Sequence, residues 1–457
     1  MDTTKLDTPI DVAAWQRPAD SEQLLDPRAV APRLPNGDYL VDAVDPTAFE
    51  QAHPIDLAAV LQLAGSGAIE IDMARSSAKE AAHLADAQQA RALPFLTPRL
   101  GYFRQEGIAQ NTSGNLLLVD RQNAQAGAGV DIVLQPSEAI YRSLAAVRRA
   151  AAANANYRAS IDATLVRAAR TYFTLAASSA QQAIAGDDVR AAQELLRIES
   201  ARAAAGTALP ASVARATALL AEAEGRQQAA LGAVAGNSAE LAALLNLRIA
   251  TPLRAKVADA VMLVQLIDAS QPVETLIDRA VQQNPELQAA ISLIGAAAAE
   301  ADLTRWGWLL PELRAGAALD QFGDNFGGLN DREQYYVGVQ WQLDFGMASR
   351  HEANAERQHQ AELRATTIRN QVITAIVRLR AQVQSAAARV EAARREVDAA
   401  TESLQLVQAR HQEGAGLLLH VLDAQAALSR ARIGLVTAVG DHNVAQYSLL
   451  RAVGGAR

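Results

Sequence analysis

The sequence predicts a mainly α-helical chain with a short β segment suited to a membrane, its elements written twice in the same order. Three observations predict it. Half of the 457 residues are apolar but only 4% are aromatic, which favours helices drawn close by small side chains over bulky layers. Two Gly-bearing helix breaks echo one another, "RAAAGTALPASVARATALLAEAEGR" at Arg202–Arg226 and "RHQEGAGLLLHVLDAQAALSRAR" at Arg410–Arg432. At an offset of 208 residues Gly414 falls on Gly206, Val421 on Val213, Ala424 on Ala216 and Leu428 on Leu220. Finally, "YYVGVQWQLDF" alternates, with Tyr335, Val337, Val339, Trp341, Leu343 and Phe345 on one face and Tyr336, Gly338, Gln340, Gln342 and Asp344 on the other.

Each half then reads as a helix, a Leu-Pro break, two strands, a very long helix, a Gly turn and a returning helix. "LPFL" at Leu93–Leu96 matches "LPEL" at Leu310–Leu313 at a larger offset, so the first half carries extra residues. The polar, Gly-bearing stretch Gly107–Gly129 is predicted to hold them as a longer hairpin loop. The organisation expected is a tandem duplication: an extended segment and linker over 1–54, a first repeat over 55–247, a linker over 248–272 and a second repeat over 273–457.

Helix phasing supports the long elements. Ile376, Val383, Val390, Val397 and Leu404 recur by seven beside Val372, Leu379, Ala386, Ala393, Ala400 and Val407, a coiled-coil stripe. After the second turn Val421, Leu428, Leu435, His442 and Leu449 run beside Ala424, Ala431, Ala438, Ala445 and Ala452. Segments 137–205 and 346–413 would be helices of roughly 100 Å, and 57–92, 211–247, 273–308 and 417–453 helices of about 55 Å, at about 1.5 Å per residue. Two short helices end to end match one long one, which predicts a tube wall with the linkers 33–56 and 248–272 at its waist. Gly186-Asp187-Asp188, Gly225, Gly232 and Gly236 are expected weak points in two of these helices.

The strand alternation runs for about 11 residues, the length a tilted strand needs to cross a bilayer; an amphipathic strand of a soluble sheet fits the same pattern. Weaker strands are expected at Thr97–Gln105, Val130–Gln135 and Leu313–Phe322. No uninterrupted apolar run of about 18 residues occurs, so any crossing would be by β-barrel. Four strands per chain cannot close one, and open edges are not tolerated in lipid, so subunits would share it. Eight or twelve strands both satisfy that geometry.

Other classes are disfavoured. A net charge of −8 with interspersed basic residues gives no nucleic-acid footprint. Zero cysteines exclude disulfides, thiolate metal sites and an acylated N-terminal Cys. The first thirty residues, with Pro9, Pro18 and Pro27, contain no signal-peptide core, so a mature or non-exported chain is expected. No phosphate-cradling Gly-x4-Gly-Lys loop appears. His351-Glu352 lacks the second His of a zinc helix, and no nucleophile–base pair is recognisable. The chain is expected to be no enzyme and to hold no cofactor or metal.

"QQNPELQAA" (Gln282–Ala290), "LLPEL" (Leu309–Leu313), "YYVGVQWQLDFG" and above all "RHQEG" followed by "VLDAQAALSRAR" resemble the TolC-like family of outer-membrane efflux and secretion channels, from about residue 55 to the end. The resemblance implies a homotrimer: a 12-stranded barrel in outer-membrane lipid, continuous with a periplasmic α-helical barrel closed at its turn-bearing tip. It also implies an exit duct of a tripartite pump, with a periplasmic adaptor (membrane fusion protein) and an inner-membrane transporter as partners. Type I protein secretion is the alternative within the family, and a soluble coiled-coil scaffold or periplasmic adaptor the alternative outside it.

Candidate site residues follow. Tyr335, Val337, Val339, Trp341, Leu343 and Phe345 are expected to face lipid. Asp423 is the expected lumen-gate carboxylate; the family often has a second acid where this chain has His420. A solvated helix face fits both. Gly206, Leu209, Gly414, Leu417 and Leu418 are the expected adaptor-docking tips, the glycines supplying positive φ. Trp306 and Trp308 suit either an interfacial aromatic belt or packing, and His442 is expected as a hydrogen-bonded packed side chain.

Overall fold

The computed structural model of the chain describes residues 52–207, 209–248, 251–342, 345–413 and 415–455. The expected segment 1–54 apart from its last residues, Gly414 and Leu343 thus lie outside the described residues. The elements are β1 (His53–Ile55), α1 (Leu57–Gly67), α2 (Ile69–Ala90), β2 (Phe95–Gln110), β3 (Leu116–Leu134), α3 (Pro136–Ala204) and α4 (Pro210–Leu244). There follow β4 (Leu253–Ala255), α5 (Val273–Gln283), α6 (Pro285–Trp306), β5 (Glu312–Gly323), β6 (Asn330–Gln340), α7 (Met347–Gln412) and α8 (Leu418–Val453). The second series repeats the order of the first.

Two compact units result, one from residues 77–155 and 288–367, the other from the described parts of 7–76, 156–287 and 368–457. The first holds the antiparallel sheet, in the order β2-β3-β5-β6. The second holds the main apolar core, where Leu165, Tyr172, Leu175, Leu241, Ile376 and Leu449 are buried. In it β1 pairs in parallel with β4, His53 opposite Leu253.

The second unit pins its 248–272 linker with polar side chains of helices. Asn443 is fully buried; its Oδ1 accepts from Val264 N at 2.8 Å and its Nδ2 donates to the Met262 carbonyl at 2.8 Å. Gln446 Oε1 accepts from Leu266 N and Ile267 N at 3.2 and 3.1 Å, and Ser238 Oγ from Leu253 N at 2.7 Å. Beyond the short ladder of β4 with β1, the linker thereby satisfies its backbone, as buried amides must. The Tyr172 hydroxyl donates to Asp259, and burial beside that carboxylate pushes the phenol's pKa up.

Helix breaks are handled locally. The segment Leu57–Ala90 is long and apolar enough by composition to cross a membrane, whereas the sequence reading found no apolar run sufficient for that. It is not one helix: Ala68 is extended (φ −72°, ψ 127°), Asp56 caps α1 through Ala59 N at 2.8 Å, and Glu70 and Asp72 open α2. Asn284 makes the matching break before α6 at φ −65°, ψ 121°. Its Oδ1 accepts from Leu287 N at 3.2 Å, and its Nδ2 donates to the Ala452 carbonyl at 3.2 Å.

Three expectations need correction. Gly107–Gly129 is strand rather than loop, because β2 and β3 stay paired from Phe95↔Asp131 to Gln110↔Leu116, leaving only residues 111–115 to turn. The Asn111 side chain closes that turn by accepting from Ser113 N and Asn115 N. Gly186-Asp187-Asp188 does not interrupt α3, since Asp187 pairs with Arg190 and Arg432 and Asp188 accepts from Ser429 Oγ at 2.7 Å. Gly225, Gly232 and Gly236 likewise lie inside a continuous α4.

Candidate functional site

The sheet has two chemically opposite faces. Cross-strand register puts Leu96, Leu100, Tyr102, Val130, Ile132, Leu313, Leu319, Tyr335, Val337 and Val339 on one face. All are exposed, Val337 at 87%. Apolar side chains in such a row violate the ordinary surface pattern, where large exposed patches mark an interaction with another apolar phase. On the same face the band ends in charge at Arg104, Glu106 and Asp120, which pair with one another.

The other face carries Thr97, Arg99, Asp131, Asp320, Arg332 and Tyr336. Asp131 is 6% exposed and accepts from Thr97 Oγ1 and, at 2.6 Å, from the Tyr336 hydroxyl. Arg99 lies 3.7 Å from Asp131 and 3.8 Å from Asp320, and Arg332 lies 3.2 Å from Asp320. This network crosses all four strands. Glycine makes it fit: a Cβ at Gly316 would stand 2.5 Å from the Tyr336 ring, and one at Gly127 2.5 Å from Asp320 Oδ1. The backbone must approach closely there, and only Gly allows it.

The strand expected at Tyr335–Phe345 is displaced. It begins at Asn330, because Asp331 and Arg332 continue the ladder through Gln321 and Asp320, and it ends at Gln340. Tyr335, Val337 and Val339 lie on the apolar face as expected, but Val339 is near the strand's end and Trp341 follows it. Phe345 is in the turn before α7, so it is not a strand residue. Trp306 and Trp308 are half-exposed; Arg305 covers the Trp306 ring at 4.8 Å, and Trp308 Nε1 donates to the Arg305 carbonyl at 3.1 Å.

At the α3–α4 turn Gly206 has φ 76°, and its N–H donates to the Ala203 carbonyl while Thr207 N donates to the Arg202 carbonyl. This pair of bonds closes a helix C-terminus in the Schellman manner, which calls for a left-handed residue. Leu209 and Leu417 occupy equivalent places as the residues before α4 and α8, and both are exposed. Leu418 differs: it is buried in this chain beside Leu195 and Val421, because its position in α8 turns it toward α3. It is therefore no exposed tip contact. His420 and Asp423, one helical turn apart on α8, are both exposed.

A buried cluster near the same turns was missed. His411 Nδ1 donates to the Gly416 carbonyl at 3.0 Å, and its Nε2 lies 2.9 Å from Glu199 Oε1. Glu199 is 2% exposed, and Arg202 reaches it at 3.4 Å. The cluster ties the end of α3 to the end of α7. His411 stood in the quoted "RHQEG", but its partner lies 212 residues away, a separation that no local pattern reports. His442 is buried as expected, yet its Nδ1 has no hydrogen-bond partner among the described residues.

Comparison with known proteins agrees with this architecture. Residues 276–455 match the family model "Outer membrane efflux protein". No curated protein matches the chain. Among solved structures, the CmeC outer membrane channel of Campylobacter jejuni superimposes with TM-score 0.76 at 13% identity, covering 96% of this chain and 94% of its own. The outer membrane protein VceC of Vibrio cholerae gives 0.74 at 19% identity, covering 87% and 96%. A membrane protein from Pseudomonas aeruginosa gives 0.75 at 18%, covering 87% and 90%. Residues 276–455 are thus similar to the outer membrane efflux proteins, and the fold of the chain is that of the TolC-like outer-membrane channels.

Proposed function

We propose that the chain is a passive outer-membrane exit duct, through which solutes leave the periplasm with energy supplied by partner proteins. The observation that carries this reading is the sheet with an exposed apolar face, a charged and bonded opposite face, and two edges, on β2 and β6, that are unpaired among the described residues. In water such a sheet would aggregate; in lipid its open edges would be intolerable unless other copies completed it. Three copies give twelve strands, with Tyr335, Val337 and Val339 toward lipid and the Arg99–Asp131–Asp320 network toward the lumen. The likeness to CmeC and VceC supports that assembly. The two series of elements, 55–247 and 273–457, are read as tandem repeats, and the duct extends into the periplasm as a helical barrel.

In this reading the turns at Gly206 and Gly414, with Leu209 and Leu417, dock a periplasmic adaptor that links the duct to an inner-membrane transporter. Asp423 and His420 line the narrow periplasmic entrance. Purified full-length chain tests the whole: an oligomer that needs detergent and conducts in planar bilayers is expected. A monomer soluble without detergent and giving no conductance would overturn the duct. Within it, Asp423→Ala should raise conductance or weaken cation selectivity, since it removes negative charge from a confined, poorly screened space. Unchanged ion flow would remove Asp423 from the gate.

A further inference from the structure

The outer strands of the sheet, β2 and β6, have one neighbour each among the described residues. Asn111 N donates to the Asn115 carbonyl at 2.9 Å where the β2–β3 hairpin turns. Hydrogen-bonded and non-hydrogen-bonded pairs alternate along an antiparallel ladder. The odd residues of β2 therefore bond to β3, and its even residues, Leu96 to Tyr102 among them, turn their N–H and C=O groups outward. Carried through the paired residues, the same alternation leaves Glu333, Tyr335, Val337 and Val339 of β6 with their backbone groups outward.

In a shared barrel β6 of one copy meets β2 of the next. Only alternate registers are open to that pair, because a slip of one residue would turn the apolar face inward. The apolar row ends between Tyr102 and Arg104 on β2 and between Tyr335 and Glu333 on β6. Setting Tyr335 opposite Tyr102 makes the two ends coincide, with Val337 opposite Leu100. A shift of two residues one way puts Glu333 opposite Glu106, and like charges directly opposite are destabilising. The same shift the other way puts Glu333 opposite Tyr102, inside the apolar row. Stagger agrees: paired residues run Leu96↔Val130, Val130↔Ala317 and Ala317↔Tyr335, so a step to Tyr102 of the next copy advances six residues per copy. Over three copies and twelve strands, at about 3.4 Å per residue and about 4.8 Å between strands, that tilts the strands by about 45°. Pairing Tyr335 with Arg104 instead would need about 55°, beyond the usual range of about 35–45° for membrane barrels.

The charged face points to the same register. Within the chain Arg99 and Asp320 both lie opposite Gly127, and Asp131 and Tyr336 both lie opposite Gly316, so each bulky side chain of the network has a glycine across from it. With Tyr335 against Tyr102, Arg99 of one copy comes opposite Gly338 of the next, where an added Cβ would meet nothing within 4 Å, and Tyr336 comes opposite Gly101. The shifted registers set glycine against glycine or Tyr336 against Arg99. We infer that β6 of one copy docks on β2 of a second copy in this one register, pairing Tyr335 with Tyr102, Val337 with Leu100 and, on the charged face, Gln334 with Phe103. The inference rests on the duct reading and adds to it the residues that each copy offers the next.

The parent has no cysteine, so crosslinking reports only on introduced pairs. Full-length Phe103→Cys/Gln334→Cys, purified in detergent, is oxidised with copper phenanthroline in air; each pair of thiols loses two protons and passes two electrons to copper and oxygen as the S–S bond forms. The two residues would face each other as a non-hydrogen-bonded pair with Cα atoms about 4.5 Å apart, within disulfide reach. Inside one chain β3 and β5 separate their strands, so a bridge must join two copies. Covalent dimers and trimers that collapse on reduction are expected on a denaturing gel. Gln105→Cys/Gln334→Cys and Gly101→Cys/Gln334→Cys report the two shifted registers and should give about tenfold less, their Cα atoms lying beyond disulfide reach. Leu100→Cys/Val337→Cys should crosslink too, reading the register from the apolar face. Stronger bridging in a shifted pair, or equal bridging in all pairs, overturns the register. A conducting oligomer that bridges in no pair overturns the seam while the duct stands. A monomer that is silent in bilayers defeats the duct, and the seam with it.

Discussion

The sheet-bearing unit and the helical unit solve burial in opposite ways. Around Tyr172, Leu241 and Ile376 the helical unit hides its apolar side chains and spends buried polar groups, such as Asn443, on the backbone of a linker. The sheet exposes Leu100, Leu319 and Val337 and hides Asp131 and Asp320. The difference teaches what solvent each region is built for. Water rewards the first arrangement. The second is stable only where a nonaqueous phase covers the apolar face and the charged face closes on itself.

The sharpest way to break that comparison is to disrupt the charged face. Asp320→Ala leaves Arg99 and Arg332 without the buried carboxylate they share; breaking a fully buried pair costs about 3–5 kcal/mol, and the part-exposed guanidinium groups set the cost at the lower end of that range. In the proposed oligomer this variant should dissociate at a clearly lower temperature on a gel of the detergent-solubilised protein; parent-like dissociation would show that the network is idle. Next comes the apolar face. Val337→Arg should cost about 2–4 kcal/mol if the side chain meets lipid near the midplane. Gln334→Arg, three residues earlier and on the charged face, should be mild. Equal recovery of both variants in the membrane fraction would contradict the assignment of faces.

How much of this was legible depends on the range of the interactions. Of the long helices α7 was readable because a seven-residue apolar period states its own length, and α3 because the Leu-Pro break and Gly turn repeat around it; both end within a residue or two of the expected limits. The alternating faces of β6 were readable for the same reason, although its ends were not. Asp331 and Arg332 looked like loop until their partners Gln321 and Asp320 were known. Gly107–Gly129 was misread because Gly, Asn and Asp are poor strand formers by propensity, while here Gly127 is required by the close approach of Leu319 and Asp320. The Glu199–His411 contact and the Asn443 and Gln446 bonds join residues far apart in the chain. A single sequence shows their chemistry but not their partners.

The helical unit offers a smaller test of the same comparison. If buried amides there serve the backbone, Asn443→Ala should orphan both Val264 N–H and the Met262 carbonyl. The cost of leaving a buried polar group unpaired is about 1–3 kcal/mol. Melting followed by far-UV circular dichroism should reveal it, and a midpoint equal to the parent's would mean that water or backbone relaxation replaces the amide.

His442 gives the smallest effect and the clearest sign. Burial in the apolar series of α8 lowers its pKa below the usual imidazole value, against the raising influence of the backbone at Val264 and Val383. The unfolded chain therefore binds a proton at His442 more readily than the folded one, and stability rises with pH wherever that difference exists. The contribution is complete above the unfolded value of about 6.5 and is lost as pH falls from there through the lowered folded value. Thermal midpoints of the parent should thus drop between about pH 7 and pH 5, a range set by the unperturbed imidazole. His442→Leu continues the seven-residue series with the residue found at Leu435 and Leu449 and has nothing to titrate. Its midpoint should hold steadier over the same interval. Parallel decline of parent and variant would assign the acid sensitivity to carboxylates instead, and would make His442 a packed ring whose charge never matters.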